Sequence, residues 1–455
     1  MGQSMDGVMA ASRSRRRAAA ASMVGSVVEY YDFTLFGLAA ALVFGDQFFP
    51  ETSSTAGTLA SLATFAVGFG ARPIGGVVFS HVGDRLGRKP MMVMTLVLMG
   101  VATAGIGLLP SYRTIGLAAP VLLVTLRLLQ GFGAGAEYVG ALVVAAEAGD
   151  RRRRGLLTAL PGTGVFLGIL VATVVFAGVS ALPDEQFDSW GWRVPFLLSL
   201  AAVLVGLYFR SRVEETPVFE EAVADRAPEG LPIVEVVRRQ PRMLLLAMAA
   251  NGPFVAISYL IQVFVLSYVT KELDMGDAMG LTANVTASAL AIVATPLFGA
   301  LSDRVGRRPV WLGGAAFLAV FAFPMFWLID TEIPVLVVTA VVLGLAVGIS
   351  SMYAAQASLL AEMFEARFRL SGIALSREST SALIGGPAPL VASALLNWSD
   401  GASWPIALLV LLFALVSFLA VLAVPETRGA DLGGEKAAVP GSRLVLTGDR
   451  RKPLP

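Results

Sequence analysis

Cysteine is absent and histidine occurs once, at His81. The first absence excludes disulfides and thiolate chemistry, and the second leaves no histidine-built metal site. Charge is scarce as well: 15% of residues are Asp, Glu, Lys or Arg, against roughly a quarter in a soluble globule. What charge there is nearly cancels, to +1, which points neither to nucleic acid nor to a polyanionic partner. No phosphate-binding G-x-x-x-x-G-K-[ST] loop occurs, so ATP drive is not expected. Nor does any nucleophile, base and metal grouping suggest an enzyme. Apolar residues fill the space, at 56% with a mean hydropathy of +0.74.

Stretches long enough to span a bilayer need about 20 residues. They fall near 20–44, 59–80, 91–109, 115–147, 156–182, 194–211, 243–270, 281–301, 310–329, 335–361, 370–396 and 404–424. The first follows Arg13, Arg15, Arg16 and Arg17 and contains Glu29 and Asp32. It is too long and too polar for a cleavable signal, so a retained helix is expected. The charge- and proline-rich interval 214–242 is too polar to span, and it divides the helices six and six. The expected layout is a basic tail (1–19), a first six-helix bundle (20–212), a linker (213–242), a second bundle (243–424) and a flexible tail (425–455).

Basic residues test this topology. Of 34 Lys and Arg, three fall inside helices (Arg72, Arg127, Arg377) and three in loops assigned outside (Arg113, Arg193, Lys271). The rest lie in the tails and the even-to-odd loops, which the positive-inside rule makes cytoplasmic. Both termini are therefore expected inside.

One polar motif is written twice, about half the chain apart: Ser80 to Pro90 reads SHVGDRLGRKP and Gly299 to Pro309 reads GALSDRVGRRP. Each copy joins two apolar runs, with Gly87 and Gly306 giving the backbone freedom a quick turn needs. Both copies resemble the G-x-x-x-D-R-x-G-R-[RK] hairpin of the major facilitator superfamily. Arg127-Leu-Leu-Gln130-Gly131-Phe-Gly133 is similar to that family's fourth-helix signature. The endings Arg212-Val-Glu214-Glu215-Thr216-Pro217 and Pro425-Glu426-Thr427-Arg428-Gly429 resemble those of its sugar porters. More narrowly, Glu29-Tyr30-Tyr31-Asp32-Phe33, Ala71-Arg72-Pro73-Ile74-Gly75, Glu137-Tyr138 and Trp190-Gly-Trp192-Arg193-Val-Pro195-Phe196 resemble its metabolite:proton symporter branch.

The resemblance implies an all-α membrane protein of 12 transmembrane helices in two six-helix bundles, in a bacterial-type inner membrane. It also implies alternating access, a proton gradient in place of a cofactor, and a small carboxylate, shikimate-like acid, proline or betaine as cargo. The expected partners are the lipid bilayer, protons and that solute, with the chain acting as a monomer. By the same resemblance Asp84, Arg85, Gly87, Arg88, Asp303, Arg304, Gly306 and Arg307 form cytoplasmic gates between the halves. The chain departs from the family in having Ser80 for glycine. Helix seven reads Ala247-Met248-Ala249-Ala250-Asn251 where many members carry Arg and Glu, and helix eleven carries Arg377-Glu378 where common members are uncharged. Binding chemistry is therefore expected to have moved from helix seven to helix eleven. A sugar porter, an efflux carrier and a non-transporting receptor are the alternatives.

A charge at the centre of a membrane helix costs roughly 2.5–3.5 kcal/mol, so such residues face a cavity or a partner. Glu29 and Asp32 lie three apart on one helix face, and paired carboxylates in low dielectric hold a proton more readily. Together with Arg127 and Glu137 they are the proton-coupling candidates. One of the two acids pairing structurally with Arg72 or Arg127 is the plainer reading. Arg127 and Glu137 are expected on nearly one face, almost three turns apart. Arg377 and Glu378, as neighbours, should point about 100° apart. Arg127 and Arg377 are candidates to clamp an anion near the midplane, or else to lock the two halves. Tyr30, Arg72, Asn251, Tyr259, Gln262 and Glu378 complete the substrate-binding candidates. No metal site is expected.

Overall fold

The computed structural model describes the backbone of residues 2–50, 54–86, 88–148, 154–211, 232–364 and 369–429. Side chains are described there except at 2–19, 54–55, 80–86, 88–89, 147–148, 209–211 and 232. The long helices are α1 (Gly2–Leu42), α2 (Ser54–Leu86), α3 (Arg88–Gly107), α4 (Ala118–Ala134, resuming as Glu137–Ala148), α5 (Arg154–Ser180) and α6 (Val194–Ser211). They continue as α7 (Pro241–Glu272), α8 (Asp277–Val305), α9 (Arg307–Ile329), α10 (Pro334–Met363), α11 (Arg369–Trp398) and α12 (Trp404–Leu422). Eleven of these are long and apolar enough to cross a membrane. The exception is α1, where Glu29, Tyr30, Tyr31 and Asp32 interrupt an otherwise apolar run.

Packing repeats with a period of six helices. In the first half α1 lies on α5, α2 on α4, and α3 on α6; in the second α7 lies on α11, α8 on α10, and α9 on α12. The seams between halves obey the same rule, α5 against α8 and α2 against α11. One repeating unit used twice thus buries its own faces first and then meets its copy. Outward faces are leucine and valine, as at Leu204 and Val320, which suits a hydrocarbon surround.

The α5–α8 seam is closed backbone to backbone. A Cβ on Gly299 would stand 2.8 Å from the Gly155 carbonyl and 2.6 Å from the Ala159 side chain, so only glycine fits. At the turn into α9, Gly306 has φ +110°, a conformation that a side chain strains. The copy of that turn at Gly87, with the side chains of Asp84, Arg85, Arg88 and His81, lies outside the described residues.

The second half is also wound less regularly. Wide turns interrupt α7 at Leu260–Phe264 and Tyr268–Glu272, α10 at Leu343–Ile349, and α11 at Ser381–Gly385. Among the described residues the first half has none. Such turns displace a helix's side chains in register and commonly mark functional positions.

Candidate functional site

Among the described residues, two buried ionic groups lie in the middle of the bundle. The first crosses between the halves. Arg72 of α2 donates from Nη2 to Glu29 Oε1 of α1 at 2.6 Å and from Nε to Glu378 Oε2 of α11 at 2.6 Å. Glu378 also holds its neighbour Arg377, whose Nη2 reaches back to the Tyr30 hydroxyl at 3.0 Å. The Tyr30 and Tyr353 hydroxyls are 3.1 Å apart, and the Arg377 guanidinium sits 4.1 Å from the Tyr138 ring centroid. Two cations thus meet two carboxylates, a neutral set with every member at most 1% exposed. Arg377 and Glu378, expected about 100° apart on α11, are in direct contact, because the long arginine side chain turns back onto its neighbour's carboxylate.

The second group lies within the first half. The Arg127 guanidinium faces the rings of Phe36 and Phe33, 4.1 and 4.5 Å from their centroids, with Phe65 and Phe69 further out. It donates to Gln130 Oε1 and, at 3.3 Å, to the Phe65 carbonyl. Gln130 Nε2 in turn donates to Thr103 Oγ1 (2.7 Å), and Thr103 donates to Asp32 Oδ2 (2.9 Å). Asp32 and Arg127 are therefore joined through an amide and a hydroxyl. Among the described residues no ion pair joins Arg127 to Glu29 or Glu137, and of the structural pairings open to the two acids of α1 it is Glu29 with Arg72 that forms. Glu29 is taken by Arg72, and α4 breaks at 135–136, which turns Glu137 toward Thr95 of α3 (3.2 Å). The clamp expected from Arg127 and Arg377 is likewise replaced: Arg72 and Arg377 are the cations that share a partner.

The remaining candidates separate. Asn251 Oδ1 accepts from Gln356 Nε2 at 2.6 Å, and Tyr138 donates to Gln356 Oε1 at 3.3 Å, extending the first group across to α10. Tyr259 packs edge-on against Phe69 and Phe65, at 5.1 and 5.5 Å between centroids. Gln262 stands apart, bonded to Ser258, while its carbonyl accepts from Asn284. Several buried atoms carry no described hydrogen bond: Glu29 Oε2, Asp32 Oδ1, Arg377 Nε and Asn251 Nδ2. Unpaired polar atoms in an apolar interior are costly.

At the other end of the α5–α8 seam the halves are clasped. Asp303 accepts the backbone N–H of Gly155 at 2.8 Å and of Leu156 at 3.0 Å. Arg154 pairs with Glu362 of α10 at 2.9 Å, and Arg307 joins Asp303 at 3.1 Å and Glu362 at 3.6 Å. Arg304 contributes only its carbonyl, to Arg428. Thr427 and Glu426, beyond α12, fasten to Glu362 and to the α9 N-terminus. Tyr138, Tyr353, Gln356, Arg154 and Glu362 are not among the sequence-derived candidates. Arg154 and Glu362 sit at helix ends, where charge is ordinary, and only their opposite signs at matching depth in the two halves hint at pairing.

Residues 18–231 match the family described as sugar (and other) transporter, and residues 254–452 match the major facilitator superfamily. The shikimate transporter of Escherichia coli is 37% identical over 93% of this chain and 98% of its own length. The chain belongs to the major facilitator superfamily. The proline/betaine transporter of Salmonella typhimurium is 32% identical, covering 93% of this chain and 86% of that one. Among solved structures, a proton:xylose symporter bound to 6-bromo-6-deoxy-D-glucose superimposes with a TM-score of 0.73 over 92% of this chain and 98% of that one, at 17% identity. That last likeness concerns the fold alone. The chain is a multi-pass membrane transporter.

Proposed function

We propose that this transporter takes up a small carboxylate, hydroxy acid or betaine-like zwitterion together with a proton, across a bacterial inner membrane with both termini cytoplasmic. The observation that carries this reading is the neutral set Glu29–Arg72–Glu378–Arg377 spanning the two halves. A cargo carboxylate that takes a guanidinium displaces Glu29 or Glu378 from it. The displaced acid would then be a buried, unpaired anion, which costs several kcal/mol. For an anionic cargo, one proton on that acid restores neutrality, so cargo and proton enter together. While empty, the same ion pairs tie α2 to α11. Cargo loosens that tie, which couples occupancy to opening. The carboxylate and zwitterion relatives support the cargo class, and two buried cations disfavour a neutral sugar.

Charge balance gives a sharper expectation. A monoanion entering with one proton moves no net charge and feels only the pH gradient. A zwitterion with one proton moves a unit charge, worth roughly 2.3 kcal/mol per 100 mV, or about fortyfold in accumulation. Proteoliposomes loaded at higher internal pH should accumulate shikimate or proline, and a protonophore should abolish the accumulation. Glu378→Gln should keep exchange of internal for external cargo while losing accumulation. Uptake indifferent to the protonophore would refute symport, and transport of a sugar with no carboxylate moved would favour the sugar-porter alternative.

A further inference from the structure

The end of the bundle opposite the Asp303 clasp carries a polar cleft of about 170 Å³ between the halves. Thr58 of α2, Tyr268, Lys271 and Glu272 of α7, and Ser393 and Asn397 of α11 line it. It is far roomier than the roughly 15 Å³ one water needs. Lys271 Nζ donates to Thr58 Oγ1 at 3.2 Å, a polar bridge between the halves at this end. The Tyr268 hydroxyl is committed to Asp330 at 2.8 Å, and its ring stacks on Phe264. Lys271 is the cation lining the cleft, and the acids whose charge acts on it are Asp46, Asp277 and Glu272.

Its depth follows from three helices read together. On α2 the order from the cleft inward is Thr58, then Phe65 and Phe69, then Arg72. On α7 it is Lys271, then Tyr259, then Asn251; on α11 it is Asn397 and Ser393, then Gly386 against Phe69, then Glu378. Seven residues of helix are about 10 Å. The cleft therefore stands one aromatic layer, Phe65–Phe69–Tyr259, away from the buried ion pairs.

We propose that this cleft is an entry station, in which Lys271 holds the carboxylate of the solute before it passes the aromatic layer to Arg72 and Arg377. Glu272 then sets which carboxylates are admitted: it favours a zwitterion, whose cationic end it faces, over a plain hydroxy acid. The inference rests on the carboxylate reading above but on different residues. A station of this kind changes capture from dilute solution and leaves the translocation step untouched.

Initial uptake rates into proteoliposomes test it, with shikimate and proline as the two probes. Lys271→Gln should raise KM about tenfold with kcat unchanged, and Lys271→Arg should restore it, since a fixed cation is what the site supplies. Glu272→Gln should lower KM for shikimate and raise it for proline. An unchanged KM in Lys271→Gln overturns the proposal, as does a Lys271→Gln variant that loses kcat with KM unmoved, which would make the contact a strut. Should the parent protein transport neither probe, equilibrium binding of both to purified protein decides separately. Binding weakened by Lys271→Gln upholds the station although symport has failed, and binding indifferent to it overturns the station.

Discussion

The two ends of the interface between halves are closed by different chemistry. At one end Asp303, Arg307, Arg154 and Glu362 form a charged clasp, three of them at most 5% exposed, over a seam where Gly155 and Gly299 touch through backbone. At the other end the closure is three aromatic rings and the bridge from Lys271 to Thr58. Charged hydrogen bonds are directional and are lost together once geometry fails, whereas aromatic edges slide at little cost. The molecule is therefore locked at the clasp and lightly latched opposite.

The largest effect should come from breaking the lock. Glu362→Ala takes away the carboxylate that Arg154 and Arg307 share, and removing one partner of a buried ion pair costs about 3–5 kcal/mol. Because the chain has no cysteine, Ser302→Cys is a clean reporter: Ser302 is fully buried and faces Gly155. Its labelling by a thiol reagent should rise at least about tenfold in Glu362→Ala, the change expected for little more than 1.4 kcal/mol. Labelling that does not change would mean that the glycine seam, and not the ion pairs, holds this end.

Much of this architecture was legible in the residues. Apolar runs and the Lys/Arg asymmetry reveal the helices because a bilayer leaves few alternatives, and the twice-written hairpin reveals the repeat. Arg72, Arg127 and Arg377 stand out since charge inside a membrane helix needs a reason. Partnerships were not legible. Choosing Arg72 over Arg127 for Glu29 depends on helix rotation, and the break at 135–136 that parts Glu137 from Arg127 changes phase without a proline to announce it. The wide turns in α7, α10 and α11 are invisible to periodicity for the same reason: one extra residue per turn leaves composition unaltered. Arg154 and Glu362 look like ordinary helix-end charges until the halves are set together.

A smaller effect is expected at the soft end. Tyr259→Ala removes two edge-on ring contacts, each worth about 0.5–1.5 kcal/mol beyond burial. Ser381, buried on α11 between Glu378 and Gly386, lies inward of the aromatic layer. Ser381→Cys labelling by an impermeant reagent, added from the side bearing Thr58, should rise about fivefold to tenfold in Tyr259→Ala. The Ser302→Cys rate should fall or hold in that variant, since a carrier opened at one end is closed at the other. A rise at both positions would mean general loosening and would erase the distinction between lock and latch.

The smallest effect concerns Glu426, which sits beside the clasp without crossing between halves. Its carboxylate accepts the backbone N–H of Arg307 at 3.0 Å and of Arg308 at 3.1 Å, capping the first turn of α9, and the N–H of Arg428 at 2.8 Å. Gly306 makes the approach possible, because a Cβ there would fall 2.4 Å from Glu426 Oε2. A carboxylate on a helix N-terminus contributes about 0.3–1 kcal/mol where exposed and up to about 2 kcal/mol where partly buried. Glu426→Gln retains the acceptor oxygen and loses the charge, so it should lower stability by about 1 kcal/mol in a thermal melt. Since its partners among the described residues all lie in the second half or just beyond α12, the Ser302→Cys labelling rate should be unchanged. A rate that rises as it does in Glu362→Ala would enlist Glu426 in the lock itself and extend the charged gate through the segment beyond α12.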